Sequence, residues 1–136
     1  MILFRTEDLT FVLKNKLVLK QWITTVVTKK KRKVGDITFV FCSDAYLLTI
    51  NQNYLRHNTY TDIITFDYSN GDDKLPISGD IFISIERIKE NAAKYEVTFE
   101  DELHRIIVHG ILHLLGYTDK TKVTKAEMTK QEDICL

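Results

Sequence analysis

The sequence predicts an α+β fold: a single domain in which a four-stranded mixed sheet packs with about five helices, one of them buried nearly all round. Three observations predict it. Short runs rich in β-branched and aromatic residues alternate with longer segments whose apolar residues recur every three or four positions. At 136 residues, 44% of them hydrophobic, the chain suits one core burying about two-thirds of the unfolded surface. One proline, Pro76, and five glycines leave no low-complexity linker or internal repeat to divide it.

Taken in order, residues 2–4 form a short strand, and 11–31 a packed helix carrying Val12, Leu17, Leu19, Trp22, Ile23, Val26 and Val27 at mixed three–four spacing. Gly35-Asp36 breaks the chain before the β-rich run 37–41. Ser43 or Asp44 caps a helix through Leu55. Residues 63–66 and 81–83 are two further strands, separated by the polar loop 69–74, and the second feeds a helix from about Glu86 to Lys94. Thr98 caps a helix over 100–115, with Glu102 in its first turn, and Gly116 stops it. Residues 126–134 form the last helix.

Charge and cysteine content narrow the partners. Lys and Arg number 19, as do Asp and Glu, so the overall field gives no support for nucleic acid. The run 29–33, Lys-Lys-Lys-Arg-Lys, is the local exception: it suits phosphate contact, and equally a solvated helix end whose lysines complement the dipole. Cys42 and Cys135 are far apart and lack CxxC spacing, so free thiols are expected. The opening residues lack the apolar core of a secretory signal, and no stretch approaches about 18 apolar residues, so the expected location is cytoplasmic with no membrane partner.

The chemistry concentrates in residues 109–119, H-G-I-L-H-L-L-G-Y-T-D. At ~100° per residue, His109 and His113 stand on one side of a helix, one turn apart, where both rings can converge on one cation. Neighbours from Ile106 to Leu115 are apolar or glycine, so each imidazole sits where water is scarce and needs a partner. A lone core histidine is usually satisfied by one carbonyl or carboxylate; two at this spacing point to a metal. Past Gly116 the chain can turn back and bring Asp119 over the pair.

The segment is similar to H-G-x-L-H-L-x-G-Y-D-H, the signature of the YbeY family of bacterial metal-dependent endoribonucleases; nine of eleven positions agree, counting the free ones. Asn51 with Tyr54, the run 61–66 (T-D-I-I-T-F), Gly79-Asp80-Ile81, and Ala126, Met128 and Glu132 resemble the family's other landmarks in order, over about residues 35–135. The resemblance implies an α+β fold and one divalent ion, zinc first. It also implies endoribonuclease activity on single-stranded ribosomal RNA, in small-subunit 3′-end maturation and ribosome quality control. The ribosomal small subunit is then the partner, and no DNA is expected.

Departures from that pattern assign the site residues. The family's third metal-binding histidine falls on Asp119, which leaves His109, His113 and Asp119 as the metal set. Zinc accepts carboxylate oxygen, and such a set leaves a position open for water. Two imidazoles and a carboxylate equally describe the facial triad of non-haem iron oxygenases. The family arginine after Tyr54 is displaced by Leu55, so Arg56 is the candidate phosphate clamp, completing a catalytic set with His109 and His113. Asp67 stands where the family has proline, which should alter a turn only.

Gly110 occupies the place of the glutamate in the H-E-x-x-H of zinc peptidases, so the ion must acidify water, to a pKa of about 7, or polarise the phosphoryl oxygen. A second role for Gly110 is close packing. His104, ~140° round the helix from His109, is read as surface first, or as a residue behind the ligands; His57 as a loop residue; and Asp80 as a turn residue at a strand start, or a partner for an imidazole. Two other readings stay open: a zinc peptidase or amidase, and a non-catalytic ribosome-associated protein whose metal fastens the C-terminal turn.

Overall fold

The computed structural model describes residues 1–56, 61–69, 72 and 74–136. The elements are β1 (Ile2–Thr6), α1 (Lys16–Lys29), β2 (Val34–Cys42), α2 (Asp44–Tyr54), β3 (Ile63–Asp67), β4 (Ile77–Ser84), α3 (Ile85–Lys94), α4 (Phe99–Leu114) and α5 (Lys122–Cys135). The sheet order is β1-β2-β4-β3. β1 and β4 run parallel to β2, and β3 pairs antiparallel with β4, which makes the sheet mixed as expected.

Alternation along the strands divides the core. Ile37, Phe39, Phe41, Ile77, Ile81 and Ile83 face α1 and α4 and meet Ile23, Val27, Ile107 and Ile111 in the main cluster. The alternate positions Cys42, Ile64, Phe66 and Phe82 carry a smaller cluster under Leu47 of α2. Glycine sets how close α4 lies: a Cβ at Gly110 would stand 3.0 Å from Ile81 and 3.1 Å from Ile63, so the packing reading of this residue holds.

Four expectations need correction. Gly35-Asp36 does not break the chain; it lies inside β2, where the register with β4 shifts between Val34 and Ile37, and the Met1 ammonium donates to the Gly35 carbonyl at 2.5 Å. The first helix begins at Lys16, because Phe11 leaves the pattern to set its ring on Phe41 and Phe99, while Val12 and Leu17 are exposed. The last helix starts four residues early, at Lys122, because Thr121 and Thr124 form a reciprocal capping box. Asp80 lies within β4, not at a strand start, and accepts from the Tyr68 hydroxyl at 2.7 Å.

Other local readings stand. Ser43, of the two candidate caps, accepts from the Tyr46 amide, and Thr98 accepts from the Asp101 amide. Asp67 makes its own turn by accepting from the backbone and hydroxyl of Ser69 at 2.8 and 2.7 Å. Both cysteines are free. No helix among the described residues is long and apolar enough to cross a membrane.

Candidate metal centre

Helix α4 presents two faces. Leu103, Ile107, Ile111 and Leu114 enter the main core, while Glu102, Arg105, His109 and His113, spaced three, four and four apart, form a polar stripe on the other side. The stripe borders a cleft of ≈ 840 Å³ whose lining includes Asp62, Glu102, Arg105, His109, Asp119 and Glu132. The acidic first turn of α4 complements its dipole, and its last turn carries His113.

The turn after α4 completes the group. Gly116, at φ 102°, takes the positive-φ position that ends the helix; its N–H donates to the His113 carbonyl and that of Tyr117 to the Leu112 carbonyl, both at 3.0 Å. The chain therefore doubles back. The Tyr117 carbonyl accepts from His113 Nδ1 at 3.1 Å, and Asp119 arrives with Oδ2 3.4 Å from His109 Nε2 and 3.8 Å from His113 Nε2. The two Nε2 atoms are 3.0 Å apart.

Helix α5 supplies the remaining partner. Glu132, 7% exposed, takes His109 Nδ1 at 2.6 Å and Arg105 Nη1 at 2.8 Å, while Arg105 Nη2 reaches Asp133 at 2.7 Å. Both histidines thus spend Nδ1–H on an acceptor that cannot donate, which fixes the tautomer with a lone pair on each Nε2. In the neutral rings two lone pairs face each other beside a carboxylate oxygen, a repulsive arrangement that a cation resolves. Tetrahedral zinc, with bonds of about 2.0–2.1 Å, sets its ligand atoms about 3.3 Å apart, and the three observed separations bracket that value. The donor set fits the ion.

The electrostatics agree. Burial lowers the basicity of His109, but the hydrogen bond and charge of Glu132, with Asp119 and Asp62 behind it, outweigh burial and raise its pKa. Burial and the neighbouring His109 charge lower that of His113.

Comparison with known proteins places this fold. The family model described as "Endoribonuclease YbeY" matches residues 3–136, so it takes in β1 and α1 as well as the segments that carry the sequence resemblance. The chain belongs to the YbeY family. A Cytophaga hutchinsonii protein named endoribonuclease YbeY is 46% identical over 99% of this chain and 93% of its own length. One of the same name from Karelsulcia muelleri is 49% identical over 93% of this chain and 87% of its length. A solution structure from Thermotoga maritima shares the fold at TM-score 0.66, with 27% identity, covering 99% of this chain and 89% of that one.

Within this YbeY fold the structure brings together His109, His113 and Asp119, whose ligand atoms lie within 4.8 Å of one another. It does not bring Arg56 to them. Arg56 follows the end of α2 with φ 55°, is exposed, and is not among the residues lining the cleft. Asp80 accepts from Tyr68 and does not line the cleft either. His104 is half-buried against Trp22, ring centroids 5.5 Å apart, and reaches the cleft edge. His57 lies outside the described residues. In the basic run, Lys30 caps α1, bonds Gln131 and lies over the Tyr117 ring, and Arg32 donates to the carbonyls of Asp72 and Leu75, as a helix end and turn would.

Sequence reasoning missed the roles of Arg105, Glu102 and Asp62, and held Glu132 only as a landmark. The stripe spacing from Glu102 to His113 was the available signal. The pairing of α4 with α5 that joins Arg105 to Glu132 has none.

Proposed function

We propose that residues 1–136 act as one metal-dependent endoribonuclease domain, with His109, His113 and Asp119 holding a single divalent ion, zinc in preference to iron. The observation that carries this reading is the convergence of two Nε2 lone pairs and Asp119 Oδ2, each imidazole held from behind by Glu132 or the Tyr117 carbonyl. When bound, the ion supplies Lewis acidity toward water or a phosphoryl oxygen. The chain's own residues do the positioning. Glu132 sets the His109 ring, Arg105 holds Glu132, and the half-exposed Asp119 leaves one side of the centre open to solvent.

The peptidase reading loses ground here. Glu132 touches His109 on Nδ1, the side away from the converging atoms, and so is not placed as a base there. Glu102 lies two turns back along α4.

Family membership supports single-stranded ribosomal RNA, at the small-subunit 3′ end, as substrate, the ribosome as partner and the cytoplasm as location. Arg56, exposed past α2, is the arginine we assign to RNA phosphate, and the groove lined by Lys30, Lys31, Arg32 and Tyr117 offers further contacts.

The test is cleavage of a single-stranded ribosomal RNA fragment by wild type, His109→Ala/His113→Ala and Asp119→Ala, each checked for folding. Activity lost in both folded variants and in chelated wild type, then restored to the latter by zinc, is the expected result. Equal activity in all three would overturn it. A protein that melts on chelation but never cleaves RNA would establish the metal as a structural fastener.

A further inference from the structure

A second group of side chains lines the cleft without belonging to the histidine centre. Glu102 is 5% exposed, yet its carboxylate has no hydrogen-bond or ion-pair partner among the described residues. Its nearest cation along the helix, Arg105, spends its hydrogen bonds on Glu132 and Asp133 and reaches Glu102 through its charge alone. A carboxylate largely withdrawn from water, with no hydrogen-bonded partner and its oxygens reaching only the cleft, is costly, so the position suits a counter-charge that enters from the cleft.

Asp62, leading into β3, faces the same cleft. Its carbonyl accepts from the Ser84 amide at 3.0 Å; its carboxylate accepts from its own and the Ile63 backbone amides and has the Asn91 side-chain amide at a long 3.5 Å. Burial first, then the charge of Asp62, pushes the Glu102 pKa up, and burial does the same to Asp62. The cleft wall as a whole carries five side-chain carboxylates against two fixed cations, Arg105 and Lys125. An RNA phosphate meets net repulsion there.

We propose that Asp62 and Glu102 hold a second, hard divalent cation, Mg²⁺ or Mn²⁺, in the cleft beside the histidine centre. Mg²⁺ is commonly held by one or two carboxylates, keeping waters and substrate phosphate in its other positions, and an open cleft with two carboxylates offers that arrangement. All the donors are oxygen, so the site selects against the nitrogen-preferring ion of His109 and His113. The cation neutralises the acidic wall and gives the RNA phosphate a partner. That role rests on the endoribonuclease reading; the cation site itself does not.

The test titrates Mn²⁺ into zinc-loaded protein and follows the electron paramagnetic resonance signal of free Mn²⁺. Wild type should take up one Mn²⁺ beyond its zinc. Glu102→Gln and Asp62→Asn, each near-isosteric, should weaken that uptake at least about tenfold. His113→Ala, prepared without zinc, should keep it. No uptake by zinc-loaded wild type, or uptake unchanged in both carboxylate variants, overturns the site. If one variant fails to fold, the other decides. Mn²⁺ uptake by a protein that cleaves no RNA would sink the nuclease reading and leave this site standing.

Discussion

Glu132 carries more of the centre than its place in the sequence suggests, because one carboxylate answers both His109 and Arg105. Replacing it with glutamine keeps the shape but removes the charge that fixes the His109 tautomer. Glu132→Gln should weaken zinc binding about 10–100-fold, read by competition with a chromophoric chelator, and Arg105→Ala should fall between it and wild type. Glu102 makes the opposite prediction. Burial raises its pKa in the folded protein, so the folded state keeps its proton to higher pH than the unfolded chain does. Stability therefore falls as pH rises from the ordinary carboxylate range through the raised value. Glutamine does not titrate. In chelator, Glu102→Gln should be more stable than wild type at pH 7. The gap should close toward pH 4. Urea titrations at both pH values check this, and a gap that persists at low pH would assign the effect to packing.

Among the elements, β3 and the turn after α4 decide whether the site forms. β3 is a five-residue edge strand whose ladder hydrogen bonds go to β4 alone, and the residue just before it is Asp62. Its pairing depends on Gly79, where a Cβ would fall 2.2 Å from the Phe66 carbonyl oxygen and 2.9 Å from Leu114. Backbone must move to admit it. Gly79→Ala should cost about 2–3 kcal/mol in urea unfolding, and zinc affinity should fall with it, since Leu114 adjoins His113 on α4. The sequence made some of this geometry legible. The His109/His113 spacing, the Gly116 stop and the return to Asp119 are all short-range, set by helical period and one permissive φ. Thr98 and Ser43 were legible as caps for the same reason. What it hid was tertiary. Gly35 reads as a breaker, yet it sits in a strand because the neighbouring strands and the chain start pair around it. Phe11 reads as helix, yet aromatic partners on β2 and α4 draw it away. Arg105 and Glu132 are 27 residues apart, and only the crossing of α4 and α5 joins them.

At the scale of the molecule, the metal centre is where the C-terminal segment is fastened to the rest. α5 meets α4 through the Arg105–Glu132–His109 contacts and Asp133, and meets α1 through the Trp22 Nε1 donation to the Cys135 carbonyl at 3.1 Å. Asp119 lies between the two helices, so an ion shared by His109, His113 and Asp119 closes a loop from α4 through the turn toward α5. Because the three donors converge only in the folded chain, binding free energy becomes folding free energy. With free zinc at about 100 times its dissociation constant, the gain is about 2.7 kcal/mol. For a chain of this length that raises Tm by about 10 °C. Scanning calorimetry in chelator and in buffered zinc measures it directly. His109→Ala/His113→Ala should lose the rise, and Asp119→Ala should keep a reduced one, since two imidazoles remain. A rise that survives the double histidine substitution would move the ion to a different part of the fold.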